Sequence, residues 1–186
     1  MDTTGRLTSE RRAQAWQRLL ALGAGEFAHV NGSLAAHLHG TEALLRRWGA
    51  REVLCLAALY HAVYGTDGIT GSLASLGARR RIAELIGGEA EGIVYLYGAC
   101  ARDQFHPRIG SPDEVRFADR YTGTEYPIDE ARLRDFCELS VANELELAFG
   151  NGAFRAKHRA SLRELFDRMA PHLSEPARTA YRRRLG

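Results

Sequence analysis

At 186 residues, with 45% hydrophobic and 26% charged residues and a formal net charge of +2, the chain has the size for one well-buried core and the composition of a globular protein. That balance argues against a disordered, fibrous or nucleic-acid-coating chain and implies no strong electrostatic partner. No apolar run approaches the roughly 18 residues of a membrane span, and the first residues lack the pattern of a secretory signal, so no membrane and a cytoplasmic location are expected.

Thr8 and Ser9 can cap a first helix, 8–22, in which Ala13, Trp16, Leu19, Leu20 and Leu22 fall near helical spacing, with Gly23 or Gly25 to end it. Ser33 is the N-cap expected for a second helix, where Leu34, His37, Leu38, Leu44, Leu45 and Trp48 form one stripe and Gly49 stops the run. From Arg51 to about Tyr64 the chain is apolar nearly all round, which marks a central helix covered on several sides. Two short helices then meet at Gly87 and Gly88, with Ile82, Leu85 and Ile86 inward on one and Ile93, Val94, Leu96 and Tyr97 on the other.

Between 103 and 127 the helical signal gives way to Pro, Gly and aromatic residues, and "YTGTE" is placed to turn a small β-hairpin or a surface loop. Asp129 can cap a long helix whose face runs through Leu133, Phe136, Cys137, Ser140, Val141, Glu144, Leu145 and Ala148. Amphipathic helices over 153–185 close the chain, the last capped by Ser174 with Pro176 in its first turn. The fold expected is all-α: a single helical domain over 1–186 with its core at about 30–150 and a small irregular or hairpin insertion. Cys55, Cys100 and Cys137 are odd in number and set in apolar surroundings, which reads as buried free thiols rather than disulfides or a zinc knuckle.

Chemistry concentrates in the histidines. Four of the seven, His29, His37, His39 and His61, lie within 33 residues. If the second and third helices run antiparallel, His37, twelve positions before Gly49, comes level with His61, eleven after Ala50. Two neutral imidazoles so placed can share a divalent cation, or one can act as base while the other orients it. Each can equally be a core histidine bonded to a carbonyl or hydroxyl.

Other motifs carry less. "ARRR" at Arg79–Arg81 reads as a solvated helix face before a phosphate clamp, and "YRRRLG" as a charged helix end. Tyr95, Tyr97 and Phe105 read as core before stacking platforms, while Arg102 and His106 fall on the irregular segment, where binding residues concentrate. "GTDGITG" has neither the strand nor the Lys of a phosphate-binding loop.

A histidine on one helix, an "AALYH" segment about two dozen residues later, and a distant "LSVANELELA" helix resemble the order of the HD superfamily of metal-dependent phosphohydrolases, in particular the hydrolase domain of alarmone synthetase and hydrolase proteins. His37 matches that family's first ligand and His61 the histidine of its His-Asp pair. Ala62 and Asn143 stand where its two aspartates would be. A narrower resemblance is to an uncharacterised HD-like bacterial and plant family. It rests on His37, Leu38, Gly40, Thr41, Trp48, Gly49, Tyr60, His61, Tyr64, Gly65 and Thr66.

These resemblances imply an HD-like bundle acting on a small molecule by hydrolysis or other acid/base chemistry. His37 and His61 would be catalytic, and Tyr64, Thr66, Arg102, Asn143 and Glu144 would contact substrate. Loss of both carboxylates disfavours a dinuclear centre. A mononuclear site of His37, His61 and a carboxylate such as Asp67 or Glu144, holding Fe, Mn or Zn, stays open beside a metal-free pocket. The alternative is a degenerate HD-like module that binds a metabolite or protein without catalysis. No nucleic-acid partner is expected, and a homodimer is compatible with the sequence.

Overall fold

The computed structural model describes residues 3–29, 32–68, 70–111 and 115–186, with residues 3–9 described by backbone alone. The described residues are all-α in class, with two small antiparallel hairpins. They gather into two compact units, residues 1–98 and 99–186. None of the described helices is long and apolar enough to cross a membrane.

In the first unit α1 spans Thr3–Ala21, beginning ahead of the Thr8 or Ser9 start that capping chemistry suggests. It is followed by Gly23 in a left-handed conformation, φ 91°. The fully buried Ala15 and Leu19 face inward, and the Tyr60 hydroxyl donates to the Ala15 carbonyl at 2.6 Å. A miniature hairpin that periodicity does not reveal follows, β1 (Ala28–His29) against β2 (Gly32–Ser33), with His29 opposite Gly32. Ser33 ends β2 and caps α2 (Leu34–Arg47), its side chain accepting from the Ala36 amide at 3.2 Å.

α3 spans Glu52–Tyr60 and stops about four residues short of the expected end at Tyr64. The cause is local. Val63 N–H bonds to the Tyr60 carbonyl at 2.8 Å and Gly65 N–H to the Ala62 carbonyl at 2.9 Å, so the chain enters tight turns in place of helix. The Val63 carbonyl accepts from both Leu73 and Ala74 amides at 2.9 Å, folding the 64–74 loop back on the helix end. Gly65 makes this possible: its φ is 79°, and a Cβ there would lie 2.8 Å from the Gly71 carbonyl oxygen. α4 (Arg79–Ile86) and α5 (Gly88–Ala99) meet at Gly87 as the glycine pair suggests, burying Ile82 and Ile86 on one and Ile93, Val94, Leu96 and Tyr97 on the other.

The second unit opens with the short α6 (Arg102–Phe105), and of the hairpin and loop left open for "YTGTE" the chain forms the hairpin, β3 (Arg116–Asp119) paired with β4 (Thr124–Pro127). Its turn is built by Asp119, whose carboxylate accepts the Tyr121 and Thr122 amides at 2.9 and 3.1 Å. Phe117 on β3 packs edge-to-face on Phe105 and Phe136 at centroid distances of 4.9 and 6.3 Å. Phe136 lies on α7 (Glu130–Gly150), capped by Asp129 through the Arg132 amide at 2.8 Å. α8 (Gly152–Met169) and α9 (Glu175–Leu185) pack on α7, with Asn151 and Ser174 as caps. Buried Glu138 of α7 accepts the Ser174 amide at 3.0 Å and its hydroxyl at 2.5 Å, fixing where α9 begins. All three cysteines are buried free thiols, as their surroundings in the sequence suggest.

Candidate functional site

His37 and His61 meet within the first unit. Their ring centroids are 5.3 Å apart with the planes at 80°, and the residues are 3% and 1% exposed. His37 sits one turn into α2 on the stripe with Leu34, Leu38 and Thr41, and the Thr41 hydroxyl donates back to the His37 carbonyl at 2.9 Å. His61 follows the last residue of α3. Its Nδ1 lies 2.8 Å from the Ala58 carbonyl oxygen. A carbonyl only accepts, so Nδ1 carries the proton and, in the neutral ring, the lone pair is on Nε2.

The pair extends into a row of rings. His29, delivered by β1, stacks on His37 with centroids 4.3 Å apart and planes at 17°. On the other side Tyr97 of α5 meets His61 edge-to-face at 5.1 Å. His29 is thus part of the centre, and Tyr97, which helical spacing marks only as core, lines it.

Asp67 is half-buried on the turn after α3. Among the described residues no three His, Cys, Asp or Glu side chains are gathered so as to hold a metal ion, so the set His37, His61 and Asp67 is not a formed ligand group. The stacking of His29 on His37 explains why an extra imidazole does not complete one: near-parallel rings hold their nitrogens in adjacent planes rather than aiming lone pairs at a common point.

Thr66 is buried in the same turn. The Tyr64 hydroxyl donates to Glu91 of α5 at 3.1 Å, and the Arg79 guanidinium grips the same carboxylate with two bonds of 2.6 and 2.9 Å. Arg79 also lies over Tyr95, 3.8 Å from the ring centroid. The first arginine of "ARRR" is therefore a strut that ties the start of α4 to α5, while Arg80 and Arg81 are exposed. Glu91 is 5% exposed, and its inward position could have been read from its i,i+3 relation to Val94.

A second buried carboxylate, Glu42 of α2, is 1% exposed. It receives Arg12 of α1 through bonds of 2.6 and 2.7 Å, and also Arg46, which bonds Glu52 at 2.8 Å. Burial opposes its ionisation, but the bonds from Arg12 and Arg46 outweigh that and hold its carboxyl below the usual range. A cleft of about 690 Å³ between α1 and α4, lined by Arg18, Leu22, Arg81, Ile82, Glu84 and Leu85 among others, includes none of these histidines.

In the second unit Arg102, Asn143 and Glu144 come together. The Asn143 side-chain amide donates to Glu144 at 3.1 Å, and Arg102 lies 3.6 Å from the same oxygen. Asn143 is buried and Glu144 half-buried, so the apolar face of α7 does carry a polar group at its margin.

Residues 18–102 match DUF6817, a domain of unknown function. The matched stretch is less than half of the chain and holds His29, His37, His61 and Tyr97. No curated protein and no solved structure matches the chain.

Proposed function

We propose that the row of rings in the first unit is a metal-free acid/base centre acting on a small molecule, with His61 as general base through Nε2 and His37 as the group that positions it. The observation that carries this is the 2.8 Å contact of His61 Nδ1 with the Ala58 carbonyl. It fixes one tautomer and leaves the basic nitrogen opposite, the arrangement a proton-abstracting histidine requires. Hydrolysis, with Nε2 taking the proton of an attacking water, is the reaction class first in line. The order of His37 on α2 and His61 just past α3 is the feature that an HD-like ancestry for it would share. Tyr64 and Thr66, in the same unit, are the proposed substrate contacts.

The test is turnover of a panel of carboxylic and phosphoric esters by the whole chain and by His61→Gln and His37→Gln. Loss of about 100-fold or more in kcat for His61→Gln, with an unchanged circular dichroism spectrum, is the expected result. Turnover indifferent to His61 overturns the proposal. Metal analysis beside His61→Ala decides the cofactor: stoichiometric metal lost on substitution would replace the metal-free centre with a metal site.

A second reading is a module that binds a metabolite or protein without turnover. It is favoured by Ala62 in place of a carboxylate and by the commitment of the Tyr64 hydroxyl to the Glu91–Arg79 pair.

A further inference from the structure

The net charge of +2 conceals a strong segregation at the end of the second unit. Residues 151–186 hold nine Lys or Arg against three Asp or Glu. Each of those acids is paired with an arginine: Glu164 with Arg168, Asp167 with Arg163, and Glu175 with Arg178. Among the described residues the other six cations, Arg155, Lys157, Arg159, Arg182, Arg183 and Arg184, make no ion pair with a carboxylate.

Three of the six, Arg155, Arg159 and Arg184, meet where three helix ends come together. Arg159, near the start of α8, bonds the Leu185 carbonyl at 3.1 Å and also the Gly186 carbonyl, both at the end of α9. Arg184, in the last turn of α9, bonds the Ala148 and Phe149 carbonyls at the end of α7, at 2.9 and 3.2 Å. Arg155 reaches the same Ala148 oxygen at 3.5 Å. Arg182 lies at the acidic margin of the group, where Asp167 and Glu175 feel its charge.

Carbonyl capping accounts for Arg155, Arg159 and Arg184. It does not account for exposed Lys157 and Arg183, nor for Phe149, a large apolar side chain left 50% exposed with the Arg184 guanidinium 4.4 Å from its ring centroid. On the first turns of α8, Phe154 and His158 form a second ring pair at 4.6 Å. Two further signs point to an anion. The Nε of Arg184 is buried without a hydrogen-bond partner. Burial and the nearby Arg155 both disfavour the charged form of Arg184, so the cations crowd one another.

We propose that this end of the second unit, Arg155, Lys157, Arg159, Arg183 and Arg184 around Phe149, is a docking surface for single-stranded nucleic acid. The guanidiniums pair with successive phosphates and a base stacks on Phe149. Arginine-dominated cations beside an exposed ring fit that polymer. A membrane is disfavoured because the large apolar residues of α8 and α9 other than the half-buried Phe154 and Leu165, namely Leu162, Phe166, Met169, Tyr181 and Leu185, are buried, leaving no broad face to insert.

The test is fluorescence anisotropy of a labelled oligothymidylate of about 12 nucleotides, a length within the site sizes of single-strand binders, titrated with the full chain at several salt concentrations. Saturable binding is expected, with log K falling against log salt at a slope of about −2 to −4 for some three to five phosphates. Lys157→Gln with Arg183→Gln weakens it about tenfold or more and flattens the slope by roughly 1.4. Phe149→Ala weakens it by about fivefold or more without changing the slope. These substitutions touch exposed side chains, and equal melting temperatures confirm that the fold is intact. No binding at low salt, binding indifferent to all three substitutions, or equal capture of phosphatidylserine vesicles or polyglutamate each overturns the proposal.

Discussion

Glu42→Gln is the substitution whose cost the structure lets one work out. The carboxylate is 1% exposed and receives two bonds from Arg12, of 2.6 and 2.7 Å, and a third from Arg46. A hydrogen bond to a charged group contributes about 1.5–3 kcal/mol, so the gross loss is several kcal/mol. Two effects offset it. The side chains of Arg12 and Arg46 are 32% and 38% exposed and rehydrate when the carboxylate goes, and the penalty of holding a charge at 1% exposure disappears. The net cost expected is about 2–3 kcal/mol, below the ~3–5 kcal/mol of a fully buried pair. For a chain of this size that lowers Tm by about 4–12 °C.

Urea denaturation of Glu42→Gln, Arg12→Met and the double variant measures both the cost and the coupling. The linkage has a definite sign. A carboxyl held below its unfolded value of about 4.3 adds stability at higher pH, and that stability drains away as pH falls through the lower folded value. The gap between wild type and Glu42→Gln therefore narrows in acid. A cost under about 0.5 kcal/mol, additivity of the two single substitutions, or a gap that widens below pH ~4 would refute the reasoning.

Two further outcomes follow from the fold. Gly65→Ala and Gly68→Ala both place alanine at a left-handed position, φ 79° and 80°, but only at Gly65 does the new Cβ meet backbone, 2.8 Å from the Gly71 oxygen. Gly68→Ala is expected to cost about 1–2 kcal/mol and Gly65→Ala at least 1 kcal/mol more in urea melts; equal costs would mean the loop yields freely. Burial pushes the Cys55 thiol up to about 11 and Cys137 higher still, and Cys100 is fully buried. No cysteine should react with a disulfide reagent at pH 8 until the chain unfolds, and rapid labelling of the native protein would contradict the packing.

Much of the fold is legible because it rests on local rules. Ser33, Asp129 and Ser174 announce their helices by capping chemistry, and extended-favouring residues flanking Gly123 suggest the hairpin at "YTGTE". The end of α3 is not legible, since apolar periodicity continues through Val63 while the turn depends on a glycine meeting a carbonyl six residues further along. The meeting of His37 and His61 follows from equal spacing about the α2–α3 turn. His29 escapes that logic because its position depends on two-residue strands too short to leave a pattern. Glu42 and Glu91 are hidden for another reason: an acidic residue on a helix reads as solvent-facing until its arginine, contributed by a different helix, is in place.

The early stop of α3 reaches further than its length. Had the helix continued, the Ala58 carbonyl would face the amide of Ala62. With the helix stopped, the carbonyl holds the His61 ring instead. The hydrogen-bonding partner that sets the tautomer of that histidine is thus main chain, which no single codon change deletes. A carboxylate at position 62 is therefore not needed to hold the imidazole in one tautomer. The residues that shape the turn, Gly65 foremost, thereby do for the ring what an acidic neighbour would.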